Sequence, residues 1–114
     1  VESPIFFEDM GVYRILTNEG IQQEMNYIRN DALDALIAYD KHKKSDLVDT
    51  LREYFTCQGN LVKVAERQFI HYNTVVYRIS RINEIAGIDF DDYDQSLTLQ
   101  LALKIHDMDK GKKS

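Results

Sequence analysis

The sequence has few of the residues that break helices or cross-link chains. Its 114 residues include five Gly, one Pro, one Cys and no Trp. The scarcity of Gly and Pro favours helices over an architecture of strands and tight turns. The lone Cys57 excludes an intramolecular disulfide, so a reducing cytoplasm is the simplest setting. Every apolar run is shorter than the roughly 20 residues that a bilayer-spanning helix needs, and we expect no membrane partner.

Length and composition indicate one helical domain. Hydrophobic residues make up 44% and charged residues 29%, as in an ordinary globular protein, and 114 residues suffice for one hydrophobic core. We expect an all-α fold of about five to six helices. The chain begins at Val1, and we interpret it as a fragment of a longer protein.

Charge is unevenly distributed along the chain. The formal net charge of −5 is unfavourable for nucleic-acid binding, because phosphates are neutralised by Lys and Arg. Residues 61–82 nevertheless have a net charge of +3, from Lys63, Arg67, Arg78 and Arg81 against Glu66. Residues 84–94 have a net charge of −5, from Glu84, Asp89, Asp91, Asp92 and Asp94. A basic segment is therefore embedded in an acidic chain.

The first 44 residues are expected to form a helical lead-in that packs on the rest of the chain. A short helix over residues 11–16 is followed by apolar residues at helical spacing. The apolar positions of this lead-in are Val12, Ile15, Leu16, Ile21, Met25, Ile28, Leu33, Leu36 and Ile37. The next helix, with Ser45 or Asp46 as its N-cap, ends before Gly59.

The last helix follows the acidic loop, where Asp92 or Asp94 is expected to cap it. Its predicted apolar face consists of Leu97, Leu101 and Ile105, widened by Leu99 and Leu103. Residues 110–114 are expected to be a disordered tail.

Residues 60–86 have the pattern of a helix-turn-helix within a domain of residues 45–109. Asn60 is a good N-cap for a short helix over 61–68, and Gly87 is a typical residue after a helix over 72–86. Residues 69–71 form the turn between them, with Phe69 where such motifs often have Gly. The residues expected to fix the angle between the two helices are Ala65, Ile70, Val75 and Ile79.

The second helix of the motif has one apolar and one polar side. At ~100° per residue, Val75, Ile79 and Ile82 turn inward. The opposite side is rich in groups that hydrogen-bond to base edges and phosphates, as a recognition helix in the major groove requires. We expect DNA contacts from His71, Tyr72, Asn73, Thr74, Tyr77, Arg78 and Arg81, the first four nearest the bases.

Several of these residues have a structural alternative. Arg78 and Arg81 could be solvated surface residues, and Arg78 could pair with an acidic neighbour. His71 could be the N-cap of the second helix, with its ring turned toward backbone amides. Asn73 could support the helix start, and Thr74 could cap or pack.

A family resemblance covers about residues 8–105. The matching positions are Leu47, Thr50, Leu51, Tyr54, Gly59, Asn60, Ala65, His71, Asn73, Thr74, Tyr77, Arg78, Gly87 and residues 99–103, with residues 11–16 and 38–40 upstream. This pattern resembles the C-terminal domain of the PucR and sugar-diacid-regulator (CdaR-type) transcription factors. The resemblance implies a Fis-like helix-turn-helix, DNA contacts at His71, Asn73, Thr74, Tyr77, Arg78 and Arg81, and an N-terminal sensor region missing here.

The sequence departs from the family at two positions. Family members often carry Arg where Tyr72 and Val76 stand, and the loss of two cations should lower DNA affinity and its salt dependence. The partner we expect is double-stranded promoter DNA. A homodimer is expected in the full-length protein, because one recognition helix reads too few base pairs for genomic specificity. The location is then the bacterial cytoplasm, at the nucleoid.

The main alternative is a helical protein-interaction module with weak or no DNA binding. The negative net charge and the apolar Tyr72 and Val76 favour it, and an exposed apolar patch around these two residues would support it.

Catalysis and cofactor binding have little support. His42, His71 and His106 lack the close spacing of zinc ligands. An EF-hand loop starting at Asp89 would need Gly at Asp94 and Glu at Gln100. No Gly-rich phosphate loop is present either. We therefore expect no catalytic residue, metal or cofactor.

Overall fold

The computed structural model describes residues 31–113, and side chains as far as Met108. In this range the chain forms five helices: α1 (Asp31–Lys43), α2 (Leu47–Thr56), α3 (Leu61–Gln68), α4 (Tyr72–Ala86) and α5 (Tyr93–Lys113). No strand occurs among them, so the all-α prediction is confirmed. The segments predicted around residues 11–16 and 21–28 lie outside the described residues. None of the five helices is long and apolar enough to cross a lipid bilayer.

The hydrophobic core lies where α1, α2, α4 and α5 meet. One residue of each helix is completely buried there, namely Leu36, Leu51, Ile82 and Leu99. Burial of each such side chain stabilises the fold by ~1.5–3 kcal/mol. Since α1 contributes to the same cluster as the other helices, α4 is held in place from several sides.

The junction between α1 and α2 is capped by an unexpected residue. Asp46 occupies the N-cap position of α2, but its side chain makes no capping hydrogen bond. The Asp40 carboxylate does so instead, accepting from the backbone N–H groups of Leu47 and Val48, both at 2.9 Å. Its Oδ1 also accepts from the Ser45 hydroxyl at 2.5 Å. Asp46 therefore has the predicted N-cap position, but a residue of α1 satisfies the amides that its side chain was expected to cap.

The last helix buries three residues of the predicted face, Leu99, Leu103 and Ile105, but leaves Leu97 outside it. Leu99, Ala102 and Leu103 are buried, whereas Leu97 is 38% exposed. Leucines at every second position from 97 to 103 populate both sides of a helix, so packing decides which of them turn inward. The Asp92 carboxylate accepts from the Gln95 N–H at 3.1 Å, as expected for a cap. The helix extends to Lys113 and does not give way to a tail at residue 110.

Candidate nucleic-acid interface

Helices α3 and α4 have the bounds that the sequence predicts, 61–68 and 72–86. The Asn60 side chain accepts from the Lys63 N–H at 3.1 Å and so caps α3. Gly87 ends α4 in the left-handed conformation, with φ 66°. Val64 in α3, and Val75 and Ile82 in α4, are completely buried, and their burial fastens the two helices to the domain.

The turn between the two helices depends on Phe69. This residue has φ 57° and ψ 42°, the left-handed conformation usually reserved for Gly. The next residue, Ile70, donates its N–H to the Ala65 carbonyl at 3.1 Å. Phe69 is 93% exposed, so little burial offsets the ~1–2 kcal/mol cost of this conformation. Of the predicted motif core, Val75 is fully buried, and Ala65, Ile70 and Ile79 are half-buried.

His71 is the N-cap of α4. Its Nδ1 accepts from the Asn73 backbone N–H at 3.0 Å. In a neutral ring that accepts at Nδ1, the proton is on Nε2, which is then a hydrogen-bond donor. Because His71 is exposed, its side chain can cap the helix and donate to a partner at the same time.

The outward side of α4 carries polar groups without partners. The side chains of Asn73, Tyr77 and Ser80 are exposed and make no hydrogen bond with other described residues. Tyr77 is 63% exposed, while the neighbouring Tyr72 and Val76 are 45% and 41% exposed. Thr74 is half-buried. This side of the helix is therefore free to contact a partner.

Arg78 is connected to the interior of the domain. Its Nη1 donates to the Thr50 hydroxyl at 3.2 Å, and that hydroxyl donates to Gln68 Oε1 at 3.1 Å. Thr50 is completely buried. Arg78 pairs with a hydroxyl rather than with an acidic neighbour, and most of its five N–H donors remain available.

Arg81 is held between two helices. Its Nη2 donates to the Tyr39 hydroxyl of α1 at 3.1 Å, and its Nη1 donates to Glu84 at 2.8 Å. Its guanidinium carbon lies 5.2 Å from the centroid of the Tyr39 ring. These two hydrogen bonds, that of Tyr39 first, raise the pKa of Arg81 above its ordinary value. Among the expected DNA contacts of α4, Asn73 and Tyr77 are exposed and Arg81 is half-buried.

The other two cations of the motif, Arg67 and Lys63, differ in whether they form an ion pair. Arg67 forms an ion pair with Glu53 at 2.5 Å, which raises the pKa of Arg67. The side chain of Lys63 is exposed and has no partner within residues 31–108. Lys63 is thus the motif cation most readily available to a phosphate.

Apolar side chains are also exposed on the motif. Besides Tyr72, Val76 and Tyr77, they include Phe69 and, in α3, Val62, which is 55% exposed. This is the feature that the protein-interaction alternative requires. The residues described contain no group of three or more His, Cys, Asp or Glu that could hold a metal ion.

Three residues that position the site were missed by the sequence reasoning about function. Tyr39 holds Arg81, Asp40 caps α2, and Thr50 holds Arg78. All three belong to the positions that carry the family resemblance. Their partners are separated from them by 7 to 42 residues, so no local spacing signal identifies the contacts.

The family model of the PucR C-terminal helix-turn-helix domain matches residues 47–105. The chain belongs to this family. The DNA-binding transcriptional activator AdeR of Bacillus subtilis is 34% identical over 105 residues, which are 90% of this chain and 24% of AdeR. The proline-responsive transcriptional activator PutR of the same organism is 34% identical over 104 residues, 90% of this chain and 25% of PutR.

A third relative is the carbohydrate diacid regulator of Escherichia coli, 36% identical over 56 residues, which cover 49% of this chain and 14% of the regulator. This PucR-type domain thus spans about a quarter of the length of AdeR and PutR. No solved structure gives a significant match. The predicted family is confirmed, and with it the predicted helix-turn-helix domain of PucR type.

Proposed function

We propose that this PucR-type domain binds promoter DNA with α4 in the major groove. The observation that carries the proposal is a row of exposed polar side chains on α4, Asn73, Tyr77 and Ser80, which have no hydrogen-bond partner among residues 31–108. They follow a capped helix N-terminus, where the positive end of the helix dipole favours phosphates. Recognition helices normally present their N-terminal residues to base edges.

Of the residues near the start of α4, some would contact bases and others would contact phosphates. The Asn73 amide can bond to a base edge, and the hydroxyls of Tyr72, Tyr77 and Thr74 suit phosphate oxygens. The Nε2–H group of His71 is a further phosphate donor. His71 therefore has both of the roles weighed for it, helix cap and DNA contact.

Arg78 and Arg81 would act through the donors that their internal contacts leave free. Arg78 uses one N–H for Thr50 and keeps most of the others. Arg81 uses both terminal nitrogens, for Tyr39 and Glu84, so its contribution is mainly a fixed positive charge beside the groove. Lys63 adds an unpaired cation on α3.

We further propose how the domain is used in the intact protein. The relatives are about four times as long, which supports a separate sensor region. The family match over residues 47–105 supports a division into a lead-in of residues 1–44 and a DNA-binding domain of residues 45–109. A homodimer would place two α4 helices about 34–36 Å apart, on successive turns of the groove. Such a regulator acts on the nucleoid in the bacterial cytoplasm and binds DNA without chemistry.

The experiment is a fluorescence-anisotropy titration of the 114-residue chain with the DNA upstream of its own gene and with a scrambled duplex, at several salt concentrations. Tyr77→Ala should weaken binding to the upstream DNA by about 10- to 150-fold, the value of one hydrogen bond to a charged group, ~1.5–3 kcal/mol. Lys63→Ala should reduce the slope of log affinity against log salt by about 1. Tyr93→Ala is the matched control, because Tyr93 is 75% exposed but lies on α5.

The second candidate is a protein-interaction module, favoured by the exposed Phe69, Tyr72 and Val76. It predicts equal affinity for upstream and scrambled DNA, and no difference between Tyr77→Ala and Tyr93→Ala. That pair of results would replace the DNA proposal.

A further inference from the structure

We propose that α4 reads A·T base pairs, an adenine through the Asn73 amide and the methyl group of a thymine through Val76. This inference rests on the proposed function, since it requires α4 to enter the major groove. It goes further because it assigns a base preference and the two side chains that determine it.

The buried residues of α4 define which of its faces is turned outward. Val75 and Ile82 are completely buried and so mark its inward side. At ~100° per residue, Asn73 and Ser80 lie nearly opposite them, and Val76 lies about 60° from Asn73 and about 40° from Ser80. Val76 therefore shares the outward face with the two polar residues.

Whether α4 can bond to guanine depends on the cations of that face. The commonest guanine contact uses two N–H groups of an Arg or the ammonium of a Lys. Helix α4 contains no Lys. Both terminal nitrogens of Arg81 are bonded to Tyr39 and Glu84. Arg78 is tied to a fully buried hydroxyl and lies about 140° around the helix from Asn73. No Arg or Lys of α4 therefore lies within about 60° of Asn73 on the outward face, where it could bond to guanine.

Instead of an Arg or Lys, that face presents an amide and methyl groups. The Asn73 side chain has no partner among the described residues, and an amide forms paired hydrogen bonds with adenine N6 and N7. Val76 is 41% exposed and presents methyl groups between polar neighbours. The thymine methyl is the apolar group that the major groove displays. Asn73 and Val76 together match an A·T-containing half-site.

The experiment begins with selection of binding sites by the 114-residue chain from a random-sequence duplex library. The expected site is dominated by A·T pairs at the positions that the protein protects. Each thymine of the selected site is then replaced by deoxyuridine, which removes only the methyl group. One replacement should weaken binding by the wild-type chain about fourfold, the value of one buried methyl group.

The variants assign the contacts to side chains. Val76→Ala should bind the thymine and deoxyuridine duplexes equally, whereas Val62→Ala, the same change at an exposed position of α3, should keep the fourfold difference. Replacing one adenine by 7-deazaadenine, which lacks N7, should weaken the wild type about fivefold or more and leave Asn73→Ala unaffected. Circular dichroism checks that all three variants keep their helical content.

The outcomes separate this inference from the proposed function. Selection of a G·C-dominated site, or a deoxyuridine effect that persists in Val76→Ala, overturns the base assignment while DNA binding stands. Failure to enrich any sequence, with equal retention of all duplexes, overturns the proposed function and the base assignment together.

Discussion

Replacing Asp40 by Ala should destabilise the domain more than any other single carboxylate change near α2. The Asp40 side chain lies in α1, yet it accepts from Leu47 N, Val48 N and the Ser45 hydroxyl. Asp40→Ala leaves two amides at the start of α2 without their acceptor and removes a link between the two helices. The position is half-buried, so water replaces these hydrogen bonds only in part.

The magnitude follows from the bonds lost. Removal of a helix N-cap costs about 0.5–2 kcal/mol, and hydrogen bonds to a charged group are worth about 1.5–3 kcal/mol. We expect a loss of about 2 kcal/mol in the free energy of unfolding. With a urea m-value of about 1–2 kcal/mol/M for a small domain, the midpoint should fall by about 1–2 M. Asp40→Asn keeps one acceptor oxygen and should lose about half as much.

The assay is urea unfolding of the full chain, followed by circular dichroism at 222 nm. Asp46→Ala is the matched control, because Asp46 occupies the N-cap position without a capping hydrogen bond. Both substitutions remove one negative charge near the same helix end, so they differ mainly in the capping bonds. Asp46→Ala should change stability by less than about 0.5 kcal/mol. A larger loss for Asp46→Ala than for Asp40→Ala would refute the assignment of the cap.

Three further predictions concern the supports of the motif. Thr50→Val keeps the shape of a fully buried side chain but removes its hydrogen bonds with Arg78 and Gln68. It should lower the free energy of unfolding, measured by urea titration, by about 1–2 kcal/mol. No change would mean that these hydrogen bonds are not formed in solution. Phe69→Gly should raise the free energy of unfolding by up to about 1 kcal/mol, because it removes an exposed Phe from the left-handed conformation. Gly87→Ala at φ 66° should lower the free energy of unfolding by about 1 kcal/mol, although the added Cβ meets nothing within 4 Å. Stability changes of the same sign for the two substitutions would contradict this conformational explanation. Burial, followed by the nearby Asp91, raises the pKa of Tyr54 above 10.0, so its contribution to stability is complete below pH 10 and is lost as pH rises through the folded-state pKa. Tyr54→Phe should therefore lose less stability than the wild type between pH 9 and 11.5 in urea titrations, and identical pH profiles would show that the phenol titrates alike in both states.

The helix bounds of the motif could be predicted because they depend on local signals. Asn60, His71 and Gly87 each act on amides or carbonyls within four residues, so their types and positions in the sequence are informative. The buried side of α4 followed from helical periodicity for the same reason. In α5 the evenly spaced leucines left two faces open, and the surrounding helices select the one that contains Leu99.

The hydrogen-bond partners of Arg78 and Arg81 could not be predicted from the sequence. Arg78 reaches Thr50 over a separation of 28 residues, and Arg81 reaches Tyr39 over 42. Such contacts depend on how α1 and α2 pack against α4, which no local pattern specifies. Their consequence is functional, since they turn two apparently free cations into supports of the recognition helix. Asn73 and Tyr77, whose exposure follows from periodicity alone, are among the predicted contacts that make no side-chain hydrogen bond with other described residues.

The most direct test of the central claim, that the outward face of α4 binds DNA, is a titration of the ¹⁵N-labelled chain with a selected duplex, followed by amide chemical-shift mapping. We expect the largest shifts at residues 71–81 and at Lys63, and nearly unchanged shifts at residues 99–105 of α5. Shifts concentrated on α5, with the amides of Asn73 and Tyr77 unaffected, would contradict this claim.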